Sequence, residues 1–179
     1  MAPKVILNST QFKLTITRLC HELIENHSNF ANTVIVGVQP RGIHLANRIV
    51  NQLQQLTGNN IEGGTLDTTF YRDDFRRNDK TLLAEATLIN TTIEGKKIIL
   101  VDDVLHTGRT IRSAFDALLA FGRPSKIELL VLINRRYMRE VPIQADYVGK
   151  TIDSIIEQKI KVHSKEIEGE NEDVVALYQ

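Results

Sequence analysis

The chain has 179 residues, which is the usual length of one domain, and we expect a single domain over residues 1–179. Hydrophobic residues make up 42% of the chain and charged residues 25%, as in an ordinary globular protein with enough apolar surface for a full core. Basic and acidic residues number 22 each, which argues against a protein whose whole surface binds nucleic acid. A local basic patch is compatible with this balance.

Targeting and redox features are few. Cys20 is the only cysteine, which excludes an intramolecular disulfide and a cysteine-based zinc site, and its place on an apolar helix face predicts a core residue. The N-terminus lacks the pattern of a signal peptide. No apolar run approaches the ~18 residues that span a membrane. We therefore expect a cytoplasmic protein without membrane contact.

In the first half of the chain, helical and strand patterns alternate. Apolar residues recur at helical spacing over residues 12–24, after a polar cap at residues 8–9. Residues 34–38 form a continuous apolar run, as in a strand that is buried on both faces. A second helix is predicted over residues 43–56, and the β-branched and aromatic residues 65–71 predict another strand.

The second half repeats this alternation. Residues 72–86 are too polar for a core and predict a long, mobile, functional loop. A buried strand is predicted at 97–101, a helix at 111–119 and a third buried strand at 127–133. Shorter strands are predicted over residues 145–148, 157–163 and 174–178. The alternation predicts an α/β fold with a central parallel sheet flanked by helices, where ligands bind at the points at which strands end and helices begin.

The strand before the third predicted helix carries the strongest chemical signal. It ends in two carboxylates, Asp102 and Asp103, and a helix begins near Gly108. Free N–H groups at a helix start suit a phosphate, Gly108 permits close backbone approach, and the hydroxyls of Thr107 and Thr110 can donate to phosphate oxygens. The two carboxylates can accept from ribose hydroxyls or hold Mg²⁺, directly or through water. The glycine patterns of P-loops and of dinucleotide sites are absent.

This segment resembles the diphosphoribosyl-binding signature of type I phosphoribosyltransferases. The resemblance implies the fold of that family, with a small hood over the base site, and 5-phosphoribosyl diphosphate as the donor. Asp102 and Asp103 would then hold the ribose 2′ and 3′ hydroxyls. The loop around the 5-phosphate and its flank would comprise Val104, Leu105, His106, Thr107, Gly108, Arg109 and Thr110.

Two further segments look like parts of the same family. Residues 36–42 resemble its pyrophosphate loop, which implies donor contacts by Gln39, Pro40, Arg41 and Gly42. In the family this loop often contains a non-proline cis peptide, by position Pro40–Arg41. Residues 71–74 resemble the start of a flexible catalytic loop, so Arg72 would swing over the pyrophosphate. The implied catalytic residues are Arg41, Arg72, Asp102 and Asp103, with Mg²⁺ as the cofactor.

From about residue 5 to residue 178 the chain is most similar to the bifunctional pyrimidine attenuation regulators and uracil phosphoribosyltransferases. The resemblance implies a homodimer or larger assembly that joins uracil to 5-phosphoribosyl diphosphate and releases UMP and pyrophosphate. Asp146, Tyr147 and Val148 would lie in the hood near the uracil, with contacts from their backbone. His106, at the loop tip, would accept a proton or pack on the base as an exposed loop residue.

The rival interpretation is an RNA-binding regulator that senses UMP with the same fold. In the relatives the first helix presents a Thr-Arg-x-x-His face to an RNA hairpin, and Thr17, Arg18 and His21 keep that face. Arg139 would join it from a basic stretch that also contains Arg135 and Arg136.

Two departures from the family pattern leave this choice open. Residues 133–144 are one residue longer than the family's stretch, with Asn134 in place of an acid and Gln144 in place of an arginine. Residues 149–154 lack the family's proline near the base. A purine-specific phosphoribosyltransferase is therefore a further alternative.

Overall fold

The computed structural model describes residues 3–73, 84–155, 157–167 and 171–179. These ranges contain three α-helices, nine strands and a short 3-10 helix at Thr69–Tyr71. The helices are α1 (Ser9–His27), α2 (Gly42–Thr57) and α3 (Arg109–Leu119). The strands are β1 (Lys4–Leu7), β2 (Thr33–Val38), β3 (Glu62–Leu66), β4 (Leu88–Ile89), β5 (Lys97–Leu105), β6 (Lys126–Arg136), β7 (Tyr147–Asp153), β8 (Lys159–His163) and β9 (Val174–Tyr178).

Six strands form the central sheet, in the order β4-β3-β2-β5-β6-β7. All neighbours pair in parallel except β4, which runs antiparallel to β3 at one edge. Because β2, β5 and β6 are parallel neighbours, their carboxyl ends lie at one edge of the sheet, where the sequence places its polar loops. A second, antiparallel sheet of β1, β9 and β8, here called the hood sheet, is separate from it.

Apolar layers cover both faces of the central sheet. On one face α1, α2 and the hood sheet pack around fully buried residues such as Leu19, Ile35 and Leu132. On the other face α3 packs through Ile111 and its neighbours. Cys20 lies in the first layer, as predicted, and burial raises the pKa of its thiol to about 12. No helix within the described ranges is long and apolar enough to cross a membrane.

The structure corrects several element boundaries. The strand predicted at residues 65–71 is wrong beyond Leu66, because the Asp67 carboxylate accepts from the Thr69 amide and hydroxyl, at 2.8 and 2.6 Å, and turns the chain into the 3-10 helix. β5 runs on to Leu105, past the predicted end at residue 101. β7 starts at Tyr147 and continues to Asp153, past the predicted end at residue 148. β1 was not predicted.

The long polar loop predicted at residues 72–86 falls largely outside the described residues. Residues 74–83 are not described, so its mobility stays a prediction. Its first described part carries Arg72 and Asp73, and its last part returns to the sheet edge at residues 84–86, where the Glu85 amide donates to Asp67 at 2.8 Å. The ends of this segment therefore lie close to the carboxyl end of β3.

Candidate active site

The carboxyl ends of β2 and β5 bring Arg41 beside Asp103. α2 begins at Gly42 so close to β5 that a Cβ there would lie 2.3 Å from the Val101 carbonyl oxygen, so only glycine fits. Arg41 Nε donates to Asp103 Oδ2 at 2.9 Å, and its Nη2 donates to the Val162 carbonyl of the hood sheet. One guanidinium thus connects the pyrophosphate loop, the acidic pair and the hood sheet.

Asp102 and Asp103 are held out of bulk water. Asp102 is 8% exposed, and its Oδ1 accepts from the Asp103 amide at 2.9 Å. Burial raises the pKa of Asp102 well above its usual range, and the neighbouring charge of Asp103 raises it further. Burial also raises the pKa of Asp103, against the opposing charge of Arg41. The ionised form of a desolvated carboxylate is stabilised when it accepts hydrogen bonds from hydroxyls or lies beside a cation.

Residues 104–110, here called the phosphate loop, enclose a cavity of about 110 Å³ next to the acidic pair. Gly108 caps α3 with a φ of 89°, a backbone conformation that favours glycine, and the first turn of α3 has no acidic residue. The helix start therefore offers N–H groups and positive dipole character without a competing carboxylate. The lining comprises Asp102, Val104, Leu105, His106, Thr107, Gly108, Thr110 and Ile111.

His106 is half-buried at the tip of the phosphate loop. Burial lowers the pKa of its imidazole, and the positive charges of Arg135 and Arg139 lower it further. The side chain is therefore neutral at physiological pH and has a ring nitrogen that can accept a proton.

The pyrophosphate loop borders a second cavity, of about 160 Å³, lined by Gln39, Pro40, Asp67, Thr68, Thr69, Arg72 and Glu85. The cis peptide lies between Gln39 and Pro40, so the expected position, Pro40–Arg41, was wrong by one bond. A proline makes the cis form accessible at the bond that precedes it, whereas the following bond has no such advantage. The buried Oε1 of Gln39 has no hydrogen-bond partner among the described protein atoms.

Arg72 and Arg109 meet at a third cavity, of about 100 Å³, between the start of the long polar segment and α3. Arg109 pairs with Glu140, at 3.0 Å, and with Asp73. Its guanidinium is thus committed to two carboxylates in this structure, so the predicted donor contact by Arg109 depends on its backbone or on release of these pairs. Asp73, the residue after Arg72, therefore connects the start of the long polar segment to Arg109 at the start of α3.

Over residues 4–167 the chain matches the family described as "Phosphoribosyl transferase domain". The chain belongs to this family. It is a phosphoribosyltransferase with the type I fold, as the resemblance implied.

Curated relatives and solved structures agree with this membership. The chain is 44% identical to "Bifunctional protein PyrR" of Bacillus cereus (strain AH820), over 97% of this chain and 96% of that one. It is 43% identical to the protein of the same name from Bacillus subtilis (strain 168), over 98% and 96%. The hypoxanthine phosphoribosyltransferase of Trypanosoma cruzi superimposes with a TM-score of 0.72 at 14% identity, over 98% of this chain and 96% of that one. Identity this low supports the fold and does not select a base.

The side chains of Asp146, Tyr147 and Val148, the residues predicted to lie near the uracil, have structural roles. Asp146 accepts from the Leu129 amide at 2.8 Å. Tyr147 is 5% exposed, and its hydroxyl donates to Glu128 at 3.1 Å, inside the core. Val148 packs in the layer beneath α3. A uracil contact by the Tyr147 side chain is therefore ruled out, while contacts by the backbone of these residues stay a prediction.

Arg139 does not lie free for RNA. Its guanidinium donates to the carbonyls of Leu105, His106, Arg135 and Ile143 and to the Asn134 side chain. The assignment of Arg139 to an RNA surface was therefore wrong, because every part of its donor fork already serves an internal contact. Sequence reasoning missed this role, since no local pattern connects Arg139 to a loop more than thirty residues earlier.

The predicted RNA face on α1 is only partly free. His21 is exposed. Arg18 is exposed as well, although it donates to the carbonyls of Val148 and Gly149 at 2.9 and 2.7 Å. Thr17 accepts from Gln52 of α2 at 2.8 Å. Two of the three predicted side chains thus reach solvent, and Thr17 serves the contact between α1 and α2.

Proposed function

We propose that the protein transfers the 5-phosphoribosyl group of 5-phosphoribosyl diphosphate to uracil, releasing pyrophosphate and forming UMP. The observation that carries the proposal is the desolvated pair Asp102 and Asp103 beside an anion-sized cavity at the start of α3. The acidic pair suits the hydroxyls of a ribose, and the cavity suits its 5-phosphate. Both features lie at the carboxyl end of one strand.

Catalysis would consist mostly of placement and charge stabilisation. Asp102 and Asp103 would hold the ribose hydroxyls while the anomeric carbon becomes cation-like. Arg41 and Arg72, which border the acidic pair and the second cavity, would stabilise the negative charge that develops on the leaving pyrophosphate. The proton on the uracil N1 must leave, and His106 at the loop tip, whose pKa burial lowers, would accept it.

The acidic pair fits a Mg²⁺ ion that is bound mainly through the donor. Among the described residues there is no cluster of three or more ligating side chains, which suits an ion held by one or two carboxylates, water and substrate phosphates. Asp102 and Asp103 would hold it, and it would neutralise charge on the diphosphate. Burial raises the pKa of both carboxyls, so a nearby cation would favour their ionised forms.

The choice of base is tested by pyrophosphate release from 5-phosphoribosyl diphosphate and Mg²⁺, with uracil, hypoxanthine, guanine, xanthine or orotate supplied singly. We expect release with uracil and less than about one hundredth of that rate with each purine, since a site that hydrogen-bonds one base edge leaves buried groups unpaired with another. Release with a purine alone would replace uracil in the proposal. Absence of release with every base, together with measurable donor binding, would leave a nucleotide-sensing protein.

A second function, RNA binding controlled by UMP, is favoured by one feature of α1. Arg18 and His21 are exposed on one side of the helix, a turn apart, where they could contact a phosphate backbone. The relatives at 43–44% identity carry the name "Bifunctional protein PyrR", which agrees with two activities in one chain. Because Arg139 is bonded to internal carbonyl oxygens, this surface offers fewer basic contacts to RNA than the sequence suggested.

We expect His21→Ala to leave transferase activity within about twofold of wild type, because its side chain does not border the cavities at the carboxyl ends of the strands. Arg18→Ala also removes the bonds to the Val148 and Gly149 carbonyls, so its activity is compared with that of His21→Ala. Each should weaken binding of an RNA hairpin and reduce the salt dependence of that binding by about one phosphate contact. Filter binding at two salt concentrations measures this. Arg123→Ala, an exposed arginine beyond α3, is the control. A large loss of activity in His21→Ala would place this face in an assembly interface instead.

A further inference from the structure

Residues 139–143, here called the brace, pack along the outside of the phosphate loop. From the brace, Arg139 Nη1 donates to the Leu105 carbonyl at 3.2 Å and to the His106 carbonyl. Both of these acceptors belong to the phosphate loop. The same Nη1 also donates to the Arg135 carbonyl, and Nε donates to the Ile143 carbonyl, each at 3.0 Å.

The next loop carbonyl is held by the brace backbone. The Thr107 carbonyl accepts from the amides of Glu140 and Val141, at 2.9 and 3.2 Å. Three consecutive carbonyls of the phosphate loop, from residue 105 to residue 107, therefore point to the brace. A Cβ added to Gly108 would lie 3.3 Å from the Val141 carbonyl oxygen, so the loop also packs closely against the brace at that residue.

The direction of these carbonyls fixes the direction of the loop's N–H groups. In a trans peptide the C=O and the N–H point in opposite directions. Carbonyls drawn to the brace turn the amides of His106, Thr107 and Gly108 the other way. The cavity of about 110 Å³ is lined by Asp102, by the phosphate loop and by Ile111 of α3, and by no residue of the brace, which agrees with a place on that other side. Convergent backbone amides of this kind bind anions.

Arg139 also contributes an uncompensated charge. Within the described ranges no carboxylate pairs with it, and its hydrogen-bond acceptors are all neutral carbonyl oxygens. Burial lowers its pKa, yet arginine stays charged in proteins. A positive charge behind the loop adds to the attraction that the N–H groups and the start of α3 exert on a phosphate.

We propose that Arg139 is a positioning residue for donor binding, which holds the Leu105 and His106 carbonyls so that the phosphate loop presents its amides to the 5-phosphate of the donor. The inference rests on the proposed phosphoribosyl transfer and assigns a task to a residue that touches neither substrate. Asn134 supports this task, because its side-chain oxygen accepts from Arg139 Nη2 and keeps the guanidinium in place.

The test is steady-state kinetics with 5-phosphoribosyl diphosphate as the varied substrate. In Arg139→Gln we expect the donor KM to rise at least about tenfold while kcat stays within about twofold, because the 5-phosphate is bound in the ground state and in the transition state alike. A merely structural role would lower the melting temperature without separating KM from kcat. The matched control is Arg136→Gln. Arg136 is an exposed arginine at the end of β6 that pairs with Asp153, and its variant should keep the wild-type KM.

Asn134 supplies a second pair of variants, which decides the matter if Arg139→Gln does not fold. Asn134→Leu removes one acceptor and should raise the donor KM about threefold. Asn134→Asp keeps an acceptor for Arg139 but compensates its charge, so its KM should lie between those of wild type and Asn134→Leu. A folded Arg139→Gln protein with the wild-type donor KM would overturn the inference, as would an unchanged KM in Asn134→Leu. If the wild-type protein itself binds no donor by calorimetry, the proposed transfer is wrong and the inference is wrong with it. A KM defect confined to the Arg139 and Asn134 variants supports both.

Discussion

Replacing Asp103 by asparagine is expected to lower donor affinity about a hundredfold. A hydrogen bond to a charged group is worth roughly 1.5–3 kcal/mol, and each 1.4 kcal/mol corresponds to about a tenfold change in affinity. Asp103 is the acid that also fixes Arg41, at 2.9 Å, so its loss removes a ribose contact and releases the pyrophosphate-loop arginine at once. Isothermal titration calorimetry with 5-phosphoribosyl diphosphate and Mg²⁺ measures the effect directly.

The same change should not lower stability. Burial raises the pKa of Asp103, so the folded protein binds this proton more readily than the unfolded chain does. Stability is then lost as pH rises from the unfolded pKa through the folded pKa, and above that window the ionised carboxylate destabilises the fold. A neutral asparagine avoids this cost, so we expect an equal or higher melting temperature at pH 7. Asp116→Asn, an exposed acid on α3, serves as control. Unchanged donor affinity in Asp103→Asn would remove Asp103 from its proposed role.

Local patterns predicted the parts of the site that depend on chain neighbours. Asp102, Asp103 and Gly108 follow one another within seven residues, so the end of a strand and the start of a helix suffice to bring them together. The family resemblance implied that residues 36–42 meet the same donor, and the parallel pairing of β2 with β5 puts the carboxyl ends of both strands at one edge. These are consequences of secondary-structure order, which the alternation of buried runs and helical spacing already specifies.

Contacts between distant segments could not be predicted in this way. Arg139 looked like a member of a basic patch because its neighbours are Arg135 and Arg136, and only packing turns it toward residues 105–106. Tyr147 is expected from the family motif to meet the base through its backbone, and the sequence alone did not indicate that its side chain lies in the core. Strand register decides which face a side chain takes, and a register set by long-range pairing leaves no mark in a single sequence.

A buried polar cluster beneath the sheet is expected to have the largest effect on stability. Glu128 lies near the start of β6, at the end of the sheet opposite the active site. Its Oε2 is 2.7 Å from His27 Nε2 and accepts from the Tyr147 hydroxyl at 3.1 Å, and its Oε1 accepts from Lys126 at 2.5 Å. Glu128→Ala would leave His27 Nε2 and the Tyr147 hydroxyl, 3.1 Å apart, with only each other as a hydrogen-bond partner, so one buried donor would lose its acceptor. We expect the loss of this hydrogen bond to cost about 2 kcal/mol, which lowers the melting temperature by roughly 4–8 °C in a domain of this size.

The cluster also predicts how stability depends on pH. Burial lowers the pKa of His27 below its usual 6.5, so the unfolded chain takes up this proton first and stability falls as pH drops below 6.5. Burial opposes ionisation of Glu128, but Lys126 and His27 hold its pKa below its usual 4.5, so a second loss follows at lower pH. The melting temperature of the wild-type protein should therefore fall in two steps, the first below pH 6.5 and the second below pH 4.5, in melts taken from about pH 7.5 down to about pH 2.5. Glu128→Ala should make the lower step smaller without removing it, because Glu166 and Asp173, both paired with Arg48, also have lowered pKa values. Glu25→Ala, an exposed acid on α1, should keep both steps at their full size. Equal melting temperatures for Glu128→Ala and wild type would mean that solvent or a rearranged Lys126 satisfies the donors that the glutamate leaves behind.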